Sequence, residues 1–209
     1  ILLIGVFFVS WASILVRMCG SDSTTIAFFR MFFSAIMISF TIPFYKKQWF
    51  IKKSDLMISV LSGIFLGLHF FTWIASLKLT SISSSVVLVT TQPVFVAILG
   101  FLILREKVGL VGIFAIILSM IGSYFVASGD LQIDSIHLKG DILAILGAVF
   151  AGSYLFIGRF VRRRVDLIPY VMVVYGVSAV VLLILGLLFS NFRLPSNNND
   201  YLLFFLMAL

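Results

Sequence analysis

Side chains able to bind or ionise are rare in this sequence and lie inside long apolar runs. Arg30 ends the run "IAFFR", and His69 and Trp73 share the run "GLHFFTWIASLK". A third run, "TTQPVFVAILGFLILREK" (90–107), contains a glutamine followed by a proline. An arginine in such a setting could bind a carboxylate or a phosphate, and a histidine among aromatic rings could hold an organic ligand or relay protons.

Each of these side chains also has a purely structural interpretation. Arg30 lies about two turns inside its predicted helix, so it could reach outward to Asp22 or bond to backbone carbonyls. His69 and Gln92 could hydrogen-bond to neighbouring helices, and Pro93 could be a bend that only serves packing. Both interpretations remain open at this point.

Aromatic rings complete the predicted binding cavity. Trp73 follows His69 by four residues, so both side chains project from one face of the same helix. Phe70 could supply a further ring around a ligand. The predicted cavity residues are Trp11, Arg30, His69, Trp73, Thr91 and Gln92, with Pro93 as a helix kink.

Composition indicates which solvent surrounds these residues. The 209-residue chain is 62% hydrophobic and 11% charged, and its mean hydropathy is +1.21. Crossing a bilayer takes about 20 apolar residues in a helix. The sequence therefore predicts an all-α integral membrane protein, a multi-pass helical bundle. The predicted spans are 2–19, 24–45, 56–78, 81–104, 108–127, 140–161 and 167–190, and an eighth begins at Tyr201.

The lysines and arginines predict the orientation of these spans. Most of them follow alternate spans, and short basic loops stay in the cytoplasm. Loops 46–55, 105–107 and 162–166 are therefore predicted to be cytoplasmic, with the protein in the cell membrane and the lipid bilayer as its partner. The net charge of +7 reflects this topology. Because the basic residues lie in membrane-bounded loops, no nucleic-acid partner is expected.

An internal duplication organises the chain. "GVFFVSWASILVR" (5–17) and "GAVFAGSYLFIGR" (147–159) share a glycine start, an aromatic beside small residues and a closing arginine. An odd number of spans separates the copies, so they enter the membrane from opposite sides, as in the inverted repeats of many secondary transporters. The predicted domains are a first repeat at 1–127, an external linker at 128–139 and a second repeat at 140–209.

One stretch resembles a known family. "PVFVAILGFLILREKVGLVGIFAIILSMIGSYFV" (93–126) is similar to the EamA family of the drug/metabolite transporter superfamily, in which Leu-x-Glu closes the fourth helix and glycines punctuate the fifth. Leu104, Arg105 and Glu106 match the first feature, and Gly112 and Gly122 match the second. "SWASILVR" (10–17) and "IAFFRMFFSAIM" (26–37) also look like the first two helices of that family.

The resemblance implies a particular architecture. Members are expected to have ten transmembrane helices, arranged as inverted repeats of five around a central substrate cavity. About seven and a half of these helices are present in this chain, so the second repeat is expected to be truncated. A homodimer is possible in such a protein.

The expected function is that of a secondary transporter, or permease, that works by alternating access. Its cargo would be a small polar metabolite, such as an amino acid or an organic anion. The alternatives are a lipid or lipid-linked sugar translocase, which needs a lateral opening between helices, and a non-transporting scaffold or sensor, in which the polar side chains are fully paired.

Several absences narrow the range of functions. The sequence has no phosphate-binding loop of the ATPase type, and no acid lies in the middle of a complete span. We therefore expect no enzymatic activity, no cofactor and no proton exchange through a buried carboxylate. Polar residues near the linker (Asp130, Asp134, His137 and Asp141) are read as exposed linker polarity, so no metal site is expected. Glu106 is read as a local charge pair with Arg105 and Lys107.

Overall fold

The computed structural model describes residues 11–45, 51–127, 135–189, 192–195 and 197–208. Predictions for residues 2–10, 46–50, 128–134 (with Asp130 and Asp134) and 190 lie outside the described residues. The helices are α1 (11–18), α2 (Ser23–Ser39), α3 (Lys53–Leu79), α4 (Ile82–Val89), α5 (Gln92–Leu104), α6 (Leu110–Ala127), α7 (Ser135–Val161), α8 (Leu167–Phe189) and α9 (Asn198–Ala208), with a short 3-10 turn at Ile42–Phe44.

The helical fold class is confirmed. The described residues contain no strand, and five segments are long and apolar enough to cross a membrane. These segments are Ser23–Phe44, Lys53–Leu79, Ile82–Leu104, Ser135–Val161 and Leu167–Phe189. The chain is thus an all-α, multi-pass membrane protein.

Helix α3 is the central element because small residues let two neighbours approach it closely. A Cβ atom added to Gly63 would lie 2.8 Å from the Val177 side chain of α8. A Cβ atom on Gly140 of α7 would lie 2.8 Å from the backbone nitrogen of Thr80, where α3 ends. The Gly63/Gly67 pair, spaced as in G-x-x-x-G, therefore packs within one molecule.

The predicted fourth span corresponds to Ile82–Leu104 and is interrupted between Val89 and Gln92. Helix α4 ends at Val89 and α5 begins at Gln92, so Pro93 lies in the first turn of α5. Proline loses no hydrogen bond there, because the first amide groups of a helix have no partner within it. The hydroxyl groups of Thr90 and Thr91 bond to the carbonyls of Val87 (2.8 Å) and Leu88 (2.6 Å), respectively. These hydroxyls take up carbonyls near the helix break, so the interruption is tolerated inside the membrane.

Helix α7 begins within the predicted external linker. Residues 135–139 belong to α7, which begins at Ser135 instead of Gly140. No proline separates these residues from the rest of the helix, and Gly140 is a contact point with α3 rather than a helix boundary. Asp141 accepts hydrogen bonds from the hydroxyls of Thr80 (2.8 Å) and Ser84 (2.7 Å), which anchors α7 to α3 and α4.

Alternate connections lie at opposite ends of the bundle. At the end we call the basic end (residues 51–55, 105–109 and 162–166), Arg159 pairs with Glu106 and Arg164 with Asp55. At the other end, called the linker end (residues 19–22, 80–81, 135–141 and 192–200), Lys78 donates to the Cys19 carbonyl. The described parts of the loops predicted to be cytoplasmic therefore share one end, as an alternating topology requires.

Replacing a contact glycine of α3 should destabilise the fold. Gly63→Val places new atoms against the backbone oxygen of Val174, 2.9 Å from the added Cβ, which cannot move without shifting α8. We expect a loss of about 1 to 3 kcal/mol in the free energy of unfolding, measured by thermal unfolding in detergent. Gly176→Ala is the control, since its Cβ would meet nothing within 4 Å; equal losses in both variants would contradict close packing of α8 on Gly63.

Candidate functional site

Arg30 and two aromatic rings of α3 form the centre of the candidate site. The guanidinium carbon of Arg30, on α2, lies 4.7 Å from the centroid of Phe70 and 5.7 Å from that of Trp73. Arg30 is roughly 10 Å along the helix axis from the start of α2, inside the segment Ser23–Phe44 that is long and apolar enough to cross a membrane. The ring faces stabilise the cation by their quadrupoles but offer it no negative charge.

Two hydrogen-bond donors at this centre are left unsatisfied. Nη1 of Arg30 and Nε1 of Trp73 are both buried, and neither has a hydrogen-bond partner among the described residues. No carboxylate in that part of the chain forms an ion pair with Arg30, and Asp22 is exposed at the linker end. The alternative in which Arg30 reaches Asp22 is therefore not what the structure shows.

His69 forms one wall of the same centre. Its ring stacks on Trp73, with centroids 5.7 Å apart and planes 11° from parallel. Nδ1 lies 2.9 Å from the carbonyl oxygen of Gly147 on α7. Because a carbonyl can only accept, Nδ1 carries the proton in this bond, and the neutral ring presents Nε2 as an acceptor. His69 thus hydrogen-bonds to a neighbouring helix, as its structural interpretation predicts, and its Nε2 remains available as an acceptor.

Helix α8 supplies a residue that the sequence did not single out. Tyr175 lies close enough to Arg30 for the phenol and the guanidinium to interact electrostatically. Its position inside the predicted seventh span was the available signal, since a tyrosine hydroxyl away from the interface needs a polar neighbour. The carbonyl of Gly147 was also missed, because backbone groups leave no mark in a residue pattern.

Polar side chains continue from this centre along one face of α3. Ser59, Ser62 and Ser76 share the face of His69 and Trp73, and the buried Leu66 occupies that face in the seven-residue gap between Ser62 and His69. The hydroxyls of Ser62 and Tyr170 are 2.7 Å apart in a hydrogen bond that joins α3 to α8. A buried polar stripe, interrupted by Leu66, therefore follows α3 from the candidate site toward the basic end.

The remaining predicted residues lie at other places on the bundle. Thr91 and Gln92 form the break between α4 and α5, and a Cβ on Gly152 of α7 would lie 3.1 Å from the Gln92 carbonyl. This contact is five residues along α7 from Gly147, roughly 7 Å toward the basic end. Trp11, at the start of the described part of α1, is 50% exposed. The structure thus joins Arg30, His69 and Trp73 directly, while the helix break meets another part of α7.

Glu106 was read wrongly as a local charge pair. Arg105 adopts the left-handed conformation (φ 55°, ψ 26°), and the amide of Glu106 donates back to the Gly100 carbonyl at 3.2 Å. This reversal lets the Glu106 carboxylate meet Arg159 of α7 at 2.5 Å. The Arg159 guanidinium lowers the pKa of the Glu106 carboxyl below its usual value, so the carboxyl is ionised at neutral pH.

Two cavities lie away from this centre. The described residues contain no cluster of three or more His, Cys, Asp or Glu side chains that could hold a metal ion. A cavity of about 490 Å³ opens at the linker end and is bordered by Asp22, Arg193 and Asp200. An apolar groove of about 380 Å³ lies between α2 and α8, and Phe32 and Gly176 are among the residues that line it.

Comparison with known proteins identifies the family. A family model described as the EamA-like transporter family matches residues 1–128. The chain belongs to the EamA-like transporter family. This confirms the resemblance found in its helix-closing and glycine motifs.

Individual relatives of this EamA-like chain are also named as transporters. An uncharacterized transporter of Methanothermobacter thermautotrophicus is 29% identical over 161 residues, which are 73% of this chain and 46% of that protein. One from Archaeoglobus fulgidus is 34% identical over 99 residues, 46% of this chain and 34% of the relative. The transporter YxxF of Bacillus subtilis is 25% identical over 126 residues, 59% of this chain and 39% of the relative. The matches span less than half the length of each relative.

Removing the unpaired charge should stabilise this EamA-like protein. Arg30→Met keeps most of the side-chain volume and removes the desolvated cation, so we expect the free energy of unfolding to rise by about 1 to 2 kcal/mol. Arg17→Met is the matched control, because Arg17 donates to the carbonyls of Leu77 and Thr80 and should cost about 0.5 to 1.5 kcal/mol when removed. Thermal unfolding in detergent measures both; a destabilised Arg30→Met protein would mean that Arg30 serves the fold.

Proposed function

We propose that this protein is a secondary transporter for small metabolites that carry a carboxylate, such as amino acids or organic anions, and that it works by alternating access. The unpaired guanidinium of Arg30 beside the unpaired Trp73 indole is the observation that supports this proposal most strongly. A membrane protein has to offset the free energy of a desolvated charge. A bound anion would do so at this site.

The chemistry of the site favours a carboxylate. Guanidinium donors match the two oxygens of a carboxylate, and the indole N–H adds a third donor near the same rings. The aromatic faces of Phe70, Trp73 and His69 suit the organic part of such a ligand. A cation would be repelled by Arg30, so cationic cargo is disfavoured.

Alternating access is supported by the way the two predicted repeats meet. Helix α3 belongs to the predicted first repeat, and its neighbours α7 and α8 belong to the predicted second repeat. The candidate site lies at this junction, since Arg30 and Trp73 come from one side and Gly147 and Tyr175 from the other. Rocking one repeat against the other would then change which end of the bundle reaches the site.

The groove between α2 and α8 supports lipid translocation as a second candidate function. Its lining is almost wholly apolar, which suits an acyl chain entering sideways from the bilayer. The groove offers Ser39 as a polar side chain but no cation for a headgroup. A scaffold without transport is less favoured, because it would have no use for two unpaired donors at depth.

Several further properties stay predictions. We expect the protein to lie in the cell membrane with its basic end in the cytoplasm, to have no enzymatic turnover, and to work without a cofactor. A homodimer is compatible with these expectations. The inverted repeats at 1–127 and 140–209 belong to the same proposal.

Uptake into proteoliposomes tests the proposed cargo. A panel of radiolabelled amino acids and monocarboxylates should contain at least one that the intact protein accumulates. Arg30→Gln should reduce that uptake by at least about tenfold, and Arg30→Lys should retain part of it, because losing a charged hydrogen bond removes about 1.5 to 3 kcal/mol or more of binding. Lys107→Gln, at the basic end, should behave like the wild type.

Two outcomes would contradict the proposal. Wild-type uptake by Arg30→Gln would remove Arg30 from the site. Scrambling of a fluorescent phospholipid in the same vesicles, without uptake of any carboxylate, would favour the lipid translocase instead.

A further inference from the structure

Three polar contacts at the basic end converge on one short segment. Tyr45 donates to Asp166 (2.7 Å), Arg164 lies 3.4 Å from the Asp55 carboxylate, and Arg159 bonds to Glu106. In each contact, one partner comes from a different part of the chain: after α2 (Tyr45), at the start of α3 (Asp55) or after α5 (Glu106). The other partner always lies within the eight residues 159–166, which end α7 and lead into α8. We call this set of contacts the basic-end latch.

Every contact in the latch joins the two predicted repeats. Tyr45, Asp55 and Glu106 belong to residues 1–127, whereas Arg159–Asp166 belong to residues 140–209. Any motion that separates the repeats at this end must therefore break all three contacts together. Motion within one repeat would leave them intact.

The chemistry of the latch suits reversible contacts. The side chains of Arg159 and Glu106 are 41% and 47% exposed, and an ion pair this open to solvent is weak and screened by salt. Arg164 is 58% exposed, whereas its partner Asp55 is buried. The Arg159–Glu106 pair adds little to the stability of the fold. Several together are still enough to bias an equilibrium between two conformations of similar free energy.

The latch closes over the polar stripe that leads to the candidate site. Asp55 is buried beneath Arg164, and Ser59 and Ser62 follow on the same face of α3. Deeper than Asp55 and Ser59, the Ser62–Tyr170 hydrogen bond joins α3 to α8. The contact of Tyr170 with Gly158 joins α8 to α7 at the same place. The basic end is therefore closed twice: by the charged contacts of the latch and, deeper, by the buried contacts of Tyr170 with Ser62 and Gly158.

We propose that the basic-end latch is the gate of this end, and that its release is the step that exposes the Arg30 site there. The proposal rests on the transporter function proposed above. It assigns the segment Arg159–Asp166 as the moving contact and predicts that opening depends on salt, because Coulomb attraction holds the gate closed.

Thiol labelling of a buried reporter tests the gate. In the intact protein with Cys19→Ser, a Ser59→Cys reporter sits one turn deeper than Asp55 and loses only a local bond to the Asp55 carbonyl. A membrane-impermeant methanethiosulfonate is added from each side of sealed vesicles. Glu106→Gln and Arg159→Gln should each raise the labelling rate from one side by about two- to fivefold, the range expected for an exposed pair. Moderate salt should raise the wild-type rate and change the variants less.

Matched variants make the result decisive. The charge swap Glu106→Arg with Arg159→Glu should return labelling toward the wild-type rate, and Lys107→Gln, beside the latch but outside it, should not change it. Wild-type labelling in both single variants, a swap as fast as the single variants, or no labelling in any variant would overturn the gate. Arg30→Gln separates the two proposals: if it transports normally while the latch variants label faster, the cargo assignment fails and the gate stands.

Discussion

In hydrocarbon, a charge has neither water nor counterions, so its partners must come from the protein or from a ligand. The structure satisfies most polar groups at depth from within: threonine hydroxyls bond to carbonyls near the break between α4 and α5, and Asp141 accepts two hydroxyls. Arg30 and Trp73 are exceptions: Nη1 and Nε1 have no hydrogen-bond partner among the described residues, and Arg30 has aromatic faces around it but no anion there. An unneutralised cation costs free energy in every molecule, and a bound carboxylate would recover it.

The rest of the bundle places that cation in reach of both predicted repeats. Close approach at Gly63, Gly140 and Gly147 draws α7 and α8 against α3, which carries the aromatic rings and the polar stripe. The same glycines allow helix surfaces to meet without interlocking long side chains, which suits sliding between repeats better than a large interdigitated core would. The close packing of α7 and α8 on α3 therefore also determines which helices surround Arg30.

Much of this could be predicted from residue patterns, for identifiable reasons. Long apolar runs give the spans because hydrophobicity and helix length are local properties, and the alternation of basic loops agrees with the ends at which the described loops lie. The grouping of His69 with Trp73 followed from a four-residue spacing. What escaped prediction depends on distant parts of the chain: the electrostatic interaction of Tyr175 with Arg30, the Gly147 carbonyl and the Glu106–Arg159 pair each involve residues far apart in sequence. The helix interruption at Thr90 and Thr91 lies beside Pro93, for which a kink was predicted from the local effect of proline.

Accessibility of the Arg30 centre tests the central claim most directly. In this experiment, a Phe70→Cys variant of the Cys19→Ser protein is treated with a small water-soluble thiol reagent. Leu182→Cys, whose position lies in the fully buried core, is the unreactive reference. If the centre is a site awaiting an anion, the cysteine at position 70 reacts and a transported carboxylate slows the reaction. If it is sealed packing, that cysteine stays as unreactive as the one at position 182 from both sides of the membrane, and Arg30 binds no cargo.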